Sequence, residues 1–162
     1  LHVFVPLHPE HSFVDVRHGC IAIGRELERR MPDLVTTSWW KEERGPRIFV
    51  DFNQNAQDRV MASAYSLRAR PDALVSMPIE WAEVAECDPA AFTLRTVPGI
   101  VASTADPWAG MRESAVRLDP ALAAWDRDAA AGLPELPYPP DFPKMPGEPP
   151  RVQPSRARHA TE

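Results

Sequence analysis

One aspartate stands at a point in the sequence where a carboxylate could bind a metal ion. Asp51 ends the apolar run Ile48-Phe49-Val50 and is followed by the polar run Asn53-Gln54-Asn55. A carboxylate at the end of a strand can bind a divalent cation, because such hard ions prefer oxygen ligands. The same position also suits an aspartate that only caps the next turn. Spacing alone favours the capping role and leaves metal binding open.

Basic residues surround this aspartate along the chain. A run of charges usually forms a solvated face. Here the bases cluster on a chain whose formal net charge is -5, which is the pattern expected of a groove that contacts phosphates. Trp39 and Trp40 could stack on nucleobases, although tryptophans more often pack in a core. The basic residues are Lys41, Arg44, Arg47, Arg59, Arg68 and Arg70.

The histidines and cysteines give a weaker signal. His2 lies in an alternating apolar segment, where a lone histidine is more often a structural hydrogen-bonding residue than a ligand. Cys20 and Cys87 fit no metal or redox spacing. We expect no disulfide, which favours a reducing cytoplasm. The spacing of three further histidines fits no common metal motif, and we assign no role to His8, His11 and His18.

Length and composition indicate a soluble domain. The 162 residues suffice for one domain with a core. Hydrophobic residues make up 44% of the chain and charged residues 25%, as in ordinary globular proteins. No apolar run approaches the roughly 20 residues that span a bilayer, so we expect no membrane partner.

The first 52 residues predict the elements that position Asp51. Alternation predicts a strand over residues 1–7, and Ser12 or Asp15 can cap a helix that runs to about Arg30. The apolar face of this helix is predicted at spacings of three and four. Residues 34–40 are predicted to be extended, 41–46 to form a charged turn and 47–52 to form a second strand. The predicted apolar face comprises Val16, Cys20, Ile23, Leu27 and Met31.

The order of these elements predicts a mixed α/β (α+β) fold with helices packed on a mixed sheet. Beyond a polar loop over 53–57, an extended segment is predicted over 60–67, a strand over 75–79 and a helical turn over 80–86. Two short helices are predicted over 107–117 and 120–131, with Asp106 and Asp119 as their N-caps and proline at the first helical position.

Composition changes at Pro134. Nine of the 19 prolines lie between Pro134 and Pro154, and such a segment can form neither a helix nor a central strand. We therefore divide the chain into a domain over 1–133 and a Pro-rich arm or tail over 134–162. Tyr138 and Phe142 favour an arm for the first half of this segment, whereas residues 151–162 are expected to be loose.

Three sequence blocks resemble a known family. They are Trp39-Trp40-Lys41-Glu42-Glu43-Arg44, the stretch from Arg47 to Asn55, and Ala64-Tyr65-Ser66-Leu67-Arg68-Ala69-Arg70-Pro71. Together they are similar to the polymerase domain of DNA ligase D and its stand-alone actinobacterial relatives, within the archaeo-eukaryotic primase superfamily. The first residues resemble the end of the family's second motif. Residues 88–93, 142–144 and 147–151 resemble its C-terminal pattern.

The resemblance implies a role for each candidate residue. Asp51 would be the third metal-binding carboxylate of a two-metal nucleotidyltransferase that uses Mg2+ or Mn2+. His2 would contact the phosphates of the incoming nucleotide. Arg44 and Arg68 match basic positions that the family needs for activity. The implied partners are DNA, as primer-template or broken ends, nucleoside triphosphates, a DNA ligase and an end-binding protein. The implied location is the nucleoid in the cytoplasm.

The departures from the family pattern limit these expectations. The family's first motif is an Asp-x-Asp on an apolar strand, which supplies two metal carboxylates, and no such strand occurs here. Asp126-Arg127-Asp128 has the spacing but lies on a predicted helix. The chain also opens at Leu1 within the predicted first strand. We therefore expect an incomplete primase-polymerase domain, the C-terminal portion of a non-homologous end-joining polymerase, that is inactive alone.

Two alternatives stay open at this point. The chain could be a non-catalytic module that binds DNA or nucleotides, in which case its affinity would fall steeply with salt. It could also be the remnant of a truncated gene, with sheet edges and apolar surface left exposed. A cooperative melt would argue against the remnant.

Overall fold

A computed structural model describes residues 1–56, 59 and 61–138. The chain forms two compact units. The first comprises Leu1–Pro6 and Val60–Ala115, and the second comprises Leu7–Arg59 and Val116–Glu162.

The second unit is built on helix α1, which spans Phe13–Arg30. Ser12 is its N-cap. The Ser12 hydroxyl accepts a hydrogen bond from the Asp15 amide, and the Asp15 carboxylate accepts one from the Ser12 amide. This reciprocal capping box satisfies two backbone donors that the helix leaves without partners. The predicted helix is therefore confirmed, and both candidate caps take part in starting it.

Two short parallel strands follow α1. Strand β1 spans Val35–Thr36 and strand β2 spans Ile48–Phe49. Val35 pairs with Ile48, and Thr36 pairs with Phe49. A 3-10 helix over Lys41–Glu43 lies between the strands, within the predicted charged turn. A second 3-10 helix over Phe52–Asn55 follows β2.

Close packing joins α1 to these strands. A Cβ atom at Gly24 would lie 2.8 Å from Thr37 Cγ2 and 3.3 Å from Val50 Cγ1. Only a residue without a side chain allows the helix backbone to approach this closely. Ile21, Trp39 and Phe52 form the buried centre of the core.

The C-terminal part of the second unit closes over α1. Helix α3, over Asp119–Ala130, packs against α1. The chain then turns through Gly132 and passes along α1 as far as Tyr138, whose side chain is only 2% exposed. The division into a domain over 1–133 and an arm or tail over 134–162 stays a prediction. Phe142 and the remaining predictions for 139–162 lie outside the described residues.

The first unit has little regular structure. Its helices are two 3-10 helices, over Trp81–Glu86 and Pro89–Ala91, and helix α2 over Val97–Ser103. The predicted helical turn over 80–86 is confirmed, with Glu80 as N-cap. Two isolated antiparallel bridges, Leu67 to Val75 and Leu74 to Thr93, hold the intervening segment together.

Two predicted strands are wrong. Residues 1–6 form no strand within the described part of the chain, and Leu7 makes only an isolated bridge to Val116. A strand needs a neighbour that pairs with successive residues, and the described residues supply one only at this point. Over 75–79, Val75 alone makes a bridge.

The predicted helix over 107–117 is also wrong, because the segment forms turns. Gly110 has a φ of +77°, a left-handed conformation that cannot continue an α-helix. Asp106 nevertheless caps the turn, since its carboxylate accepts a hydrogen bond from the Trp108 amide. At α3 the N-cap is Leu118, and the Asp119 carboxylate accepts from Arg117 Nε instead. Helix α2 was not anticipated.

The predicted apolar face of α1 is wrong in part. Ile23 and Met31 are 48% and 39% exposed, whereas Arg17 and Arg25 are buried. Periodicity ranks side chains by polarity alone. It cannot anticipate that an arginine is buried when distant segments supply acceptors for its guanidinium.

The predicted α+β class is confirmed. Within the described residues, the paired strands β1 and β2 form a small parallel sheet, covered by α1. In the part of the chain that the structure describes, no helix is both long and apolar enough to cross a bilayer.

Candidate functional site

Asp51 lies at the carboxyl end of β2, where the chain leaves the sheet. The Ile48 amide donates to the Leu34 carbonyl and the Val50 amide donates to the Thr36 carbonyl, which fixes the strand up to this point. The next residue, Phe52, is fully buried and anchors the chain in the core. Asp51 itself is exposed.

The Asp51 carboxylate has two hydrogen-bond partners. One oxygen accepts from the Asn53 amide at 3.2 Å, and the other accepts from Gln54 Nε2 at 3.1 Å. The residue therefore caps the 3-10 helix over Phe52–Asn55. Capping and metal binding were the two interpretations of its sequence position. The capping role is observed, and an exposed carboxylate keeps lone pairs that can bind a cation.

Arg44 lies close enough to Asp51 to interact electrostatically. Its Nε donates to the Ser38 carbonyl at 3.0 Å and its Nη2 donates to the Trp39 carbonyl at 2.7 Å. The guanidinium stacks on the Phe49 ring, 3.6 Å from its centroid. Partial burial lowers the pKa of Arg44, and the negative charge of Asp51 opposes this effect. Arg44 is thus a cation held in a fixed orientation within electrostatic range of the carboxylate.

Arg47, another member of the predicted basic cluster, has structural contacts. Its Nε donates to the Arg44 carbonyl, its Nη2 donates to the Glu43 carbonyl, and its Nη1 lies 3.6 Å from Glu28 Oε1. Part of the cluster that we interpreted as a phosphate groove therefore stabilises the turn between β1 and β2.

His2 and Arg68 belong to the first unit, where both line a cavity of about 600 Å³. Both side chains are exposed. The Arg68 amide donates to the Leu74 carbonyl at 2.7 Å, which fixes the backbone at this position. Aromatic rings contribute to the same lining, and among the described residues no aspartate or glutamate does. The charged and aromatic lining residues are His2, Arg68, Arg70, Phe4, Trp81, Phe92 and Trp108.

The four candidate residues therefore form two pairs. Asp51 and Arg44 interact within the second unit, and His2 and Arg68 line one cavity within the first. Their roles in catalysis and in binding phosphates stay predictions.

The described residues do not fit a two-metal centre. Within the described ranges, no group of three or more His, Cys, Asp or Glu residues could hold a metal ion. Asp126 and Asp128, which have the Asp-x-Asp spacing, lie on helix α3. The Asp128 carboxylate is paired with Arg29 at 3.4 Å and Arg25 at 3.6 Å. Asp51 could thus supply one ligand, but a second and third carboxylate would have to come from elsewhere.

Sequence reasoning missed a cluster of residues that is linked to the Asp51 loop through Arg17. Arg17 is fully buried beneath Phe52, and His18 stacks on Trp125 with ring centroids 4.1 Å apart. Both side chains bind Glu135. No local signal could have found this cluster, because its partners lie 117 to 118 residues apart in sequence.

Comparison with known proteins decides the family. A family profile described as the LigD primase-polymerase domain matches residues 1–108. The chain belongs to this family. The match includes Asp51, Arg44, His2 and Arg68, and it confirms the resemblance that the sequence blocks indicated. The C-terminal blocks over 142–151 lie outside the matched residues.

Curated relatives of this LigD primase-polymerase chain carry end-joining names. The multifunctional non-homologous end joining protein LigD of Pseudomonas aeruginosa is 31% identical over 125 residues, which are 75% of this chain and 15% of that protein. The protein of the same name from Mycobacterium bovis is 36% identical over 84 residues, or 52% of the chain and 11% of the relative. The bifunctional non-homologous end joining protein LigD of Bacillus subtilis is 28% identical over 99 residues, which are 60% of this chain and 16% of that protein. The aligned residues thus span less than a fifth of each relative.

Proposed function

We propose that this chain forms part of a DNA primase-polymerase, a nucleotidyltransferase that extends DNA ends during non-homologous end joining. The observation that carries the proposal is an exposed aspartate at the end of β2, within electrostatic range of a fixed arginine, in a chain of the LigD primase-polymerase family. DNA and nucleoside triphosphates are the substrates in this proposal. A DNA ligase and an end-binding protein are the proposed partners, at the nucleoid.

The proposed roles follow the chemistry of the side chains. Asp51 contributes one carboxylate to a divalent metal centre that uses Mg2+ or Mn2+. Arg44 offers a positive charge within electrostatic range of it, and His2 and Arg68 bind phosphate oxygens. Guanidinium groups suit this task because they donate several hydrogen bonds in a fixed plane.

The same chemistry limits what the chain does by itself. Two-metal transfer requires ions about 3.5–4 Å apart, and a single carboxylate cannot hold both, since Mg2+ requires near-octahedral oxygen geometry. The 162 residues contain no Asp-x-Asp on an apolar strand. We therefore expect the chain by itself to be inactive or nearly so.

The test is primer extension by the chain, alone and extended upstream through its own reading frame, with Mg2+ or Mn2+. The informative variant is Asp51→Asn, because asparagine caps a helix about as well as aspartate but is a poorer metal ligand. We expect it to abolish extension in the active form. Asp106→Asn is the matched control, because Asp106 also caps a turn. Extension that survives Asp51→Asn would refute the role of this carboxylate.

A second candidate function is supported by the cavity of the first unit. Two arginines, a histidine and four aromatic rings line it, with no carboxylate from the described part of the chain, although the whole chain carries a net charge of -5. Aromatic rings can stack on nucleobases, and cations attract their phosphates. The cavity therefore supports a module that binds single-stranded DNA or nucleotides without catalysing a reaction.

Salt dependence tests this binding function. The chain by itself should bind a single-stranded oligonucleotide with an affinity that falls linearly on a log–log salt plot. Arg68→Glu should weaken binding and reduce the slope by about 1. Arg95→Glu is the control, because Arg95 is exposed in the same unit but does not line the cavity. Equal binding by both variants would reject the cavity as the site.

A further inference from the structure

Arg17, on helix α1, contacts several distant parts of the chain. Its side chain is fully buried. Nε donates to Asn53 Oδ1 at 3.1 Å, Nη1 donates to Glu135, and Nη2 donates to the Leu136 carbonyl at 2.6 Å. The guanidinium also lies over the Tyr138 ring, 3.7 Å from its centroid, and over Phe52 at 5.1 Å. One side chain thus connects α1, the loop after β2 and the segment after α3.

Asn53 links this cluster to Asp51. Its backbone amide donates to the Asp51 carboxylate, while its side chain accepts from Arg17 and donates from Nδ2 to the Pro137 carbonyl at 3.1 Å. Asn53 is only 3% exposed. The amide that orients Asp51 therefore belongs to a residue whose side chain is held by hydrogen bonds to both Arg17 and Pro137.

The chemistry requires an arginine at the centre of this arrangement. Its hydrogen bonds reach Asn53, Glu135 and the backbone carbonyls of Leu136 and Pro137. A guanidinium presents five donors in one plane, whereas a lysine ammonium has three donors at one point. The planar group also stacks on an aromatic ring, as it does on Tyr138.

We propose that Arg17 is a positioning residue for Asp51, and that segment 135–138 is the part of the chain that holds Arg17 in place. The inference rests on the proposed function only for the role of Asp51. Arg17 acts through Asn53, whose position sets where the Asp51 carboxylate points.

The test compares two buried arginines of the same helix. Arg25 is 7% exposed, donates to the Pro134 carbonyl at 2.6 Å and stacks on Trp125, 5.3 Å from its centroid. Within the described residues it forms no hydrogen bond or ion pair with Asn53 or Asp51, so Arg25→Lys reproduces the loss of a buried guanidinium without loss of the link. Arg17→Lys removes the link.

The readouts are the 13Cγ resonance of Asp51 and the exchange of the Asn53 amide, measured by NMR on the chain by itself. Arg17→Lys should displace the resonance. It should also speed Asn53 exchange about tenfold beyond the change in global unfolding, as expected for a lost hydrogen bond to a charged group. Arg25→Lys should do neither. Equal effects of the two variants would overturn the proposal.

A second variant decides the matter if Arg17→Lys does not fold. Asn53→Ala cuts the link but leaves Arg17 paired with Glu135, and it should displace the Asp51 resonance in the same direction. An unmoved resonance would overturn the proposal. These measurements need no DNA, nucleotide or metal ion. They can therefore refute the positioning role of Arg17 while the Asp51→Asn experiment supports the proposed function, or support it while that experiment refutes the proposed function.

The active form adds a kinetic readout. Loss of positioning lowers kcat more than it changes the KM for the nucleotide, so Arg17→Lys should reduce kcat about tenfold with little change in KM, taking one charged hydrogen bond as the lost contact. A reduction that Arg25→Lys matches would assign the effect to general destabilisation and overturn the proposal.

Discussion

At the scale of single residues, the most strongly perturbed carboxylate is Glu135. Burial by itself would raise its pKa, but hydrogen bonds from His18 and Arg17 and their charges outweigh burial and lower the pKa to about 2 from an ordinary 4.5. The Glu135 side chain is 31% exposed. Its interactions therefore favour the ionised form and link this residue to the pH dependence of stability.

A pKa that is lower in the folded state stabilises the protein above the unfolded-state pKa. This contribution is fully present above about pH 4.5 and is lost as the pH falls through about 2. Glu135→Gln should lower the free energy of unfolding by about 2 kcal/mol at pH 6, after allowance for partial exposure. The difference from the native chain should shrink by about half near pH 3. Urea unfolding at both pH values measures it.

The control for this prediction is Glu26→Gln. Glu26 lies on α1 and pairs with Arg29 and Arg30, but its side chain is 41% exposed. Exposed pairs contribute little to stability, so this variant should change it only slightly. A pH-independent effect of Glu135→Gln would show that its charge is not what stabilises the cluster.

At the scale of elements, the contact between α1 and the strands depends on Gly24. An added Cβ would meet Thr37 Cγ2 at 2.8 Å and Val50 Cγ1 at 3.3 Å, both in branched side chains that are fixed by packing. Gly24→Ala should therefore destabilise the chain by about 1–3 kcal/mol through overpacking. Thermal or urea unfolding measures the change.

Gly99 gives a matched comparison, because nothing lies within 4 Å of a Cβ added there on α2. In a helix alanine is preferred to glycine by about 1 kcal/mol, so Gly99→Ala should be neutral or stabilising. If Gly24→Ala behaved in the same way, the close approach of α1 to the strands would be wrong.

The accuracy of the sequence predictions follows the range of the interactions involved. Helix α1 was predictable, because Ser12 and Asp15 are three residues apart and specify its start locally. The position of Asp51 at a strand end was predictable for the same reason. The buried face of α1 was not, because Arg17 finds its acceptors 36 and 118 to 120 residues away. The helix predicted over 107–117 is absent because Gly110 adopts a left-handed conformation. The aspartate and proline that predicted the start of that helix carry no information about this glycine.

At the scale of the whole molecule, the two units differ in how much core they bury. Among the described residues, Val97 is the one buried hydrophobic residue of the first unit. The second unit has eight such residues, namely Ile21, Ala22, Val35, Trp39, Phe52, Ala56, Leu118 and Tyr138. Regions that bury little apolar surface open more readily.

This difference predicts two levels of stability. Amides over 61–115 should exchange by local opening at low denaturant, whereas amides of α1 should exchange only on global unfolding. Hydrogen exchange followed by mass spectrometry on peptides from each unit separates the two. Uniform protection along the chain would contradict the prediction, and an absence of protection in α1 would favour the remnant of a truncated gene.

The Arg17 cluster has a consequence for the order of events on the ribosome. Asn53 and its acceptor Pro137 are 84 residues apart, so at about 5–20 residues per second the acceptor is made roughly 4–17 s later. Throughout that interval the guanidinium has been synthesised but lacks Glu135 and the carbonyls that fix it. The nascent Asp51 loop therefore acquires its final geometry only after nearly the whole described chain has been translated.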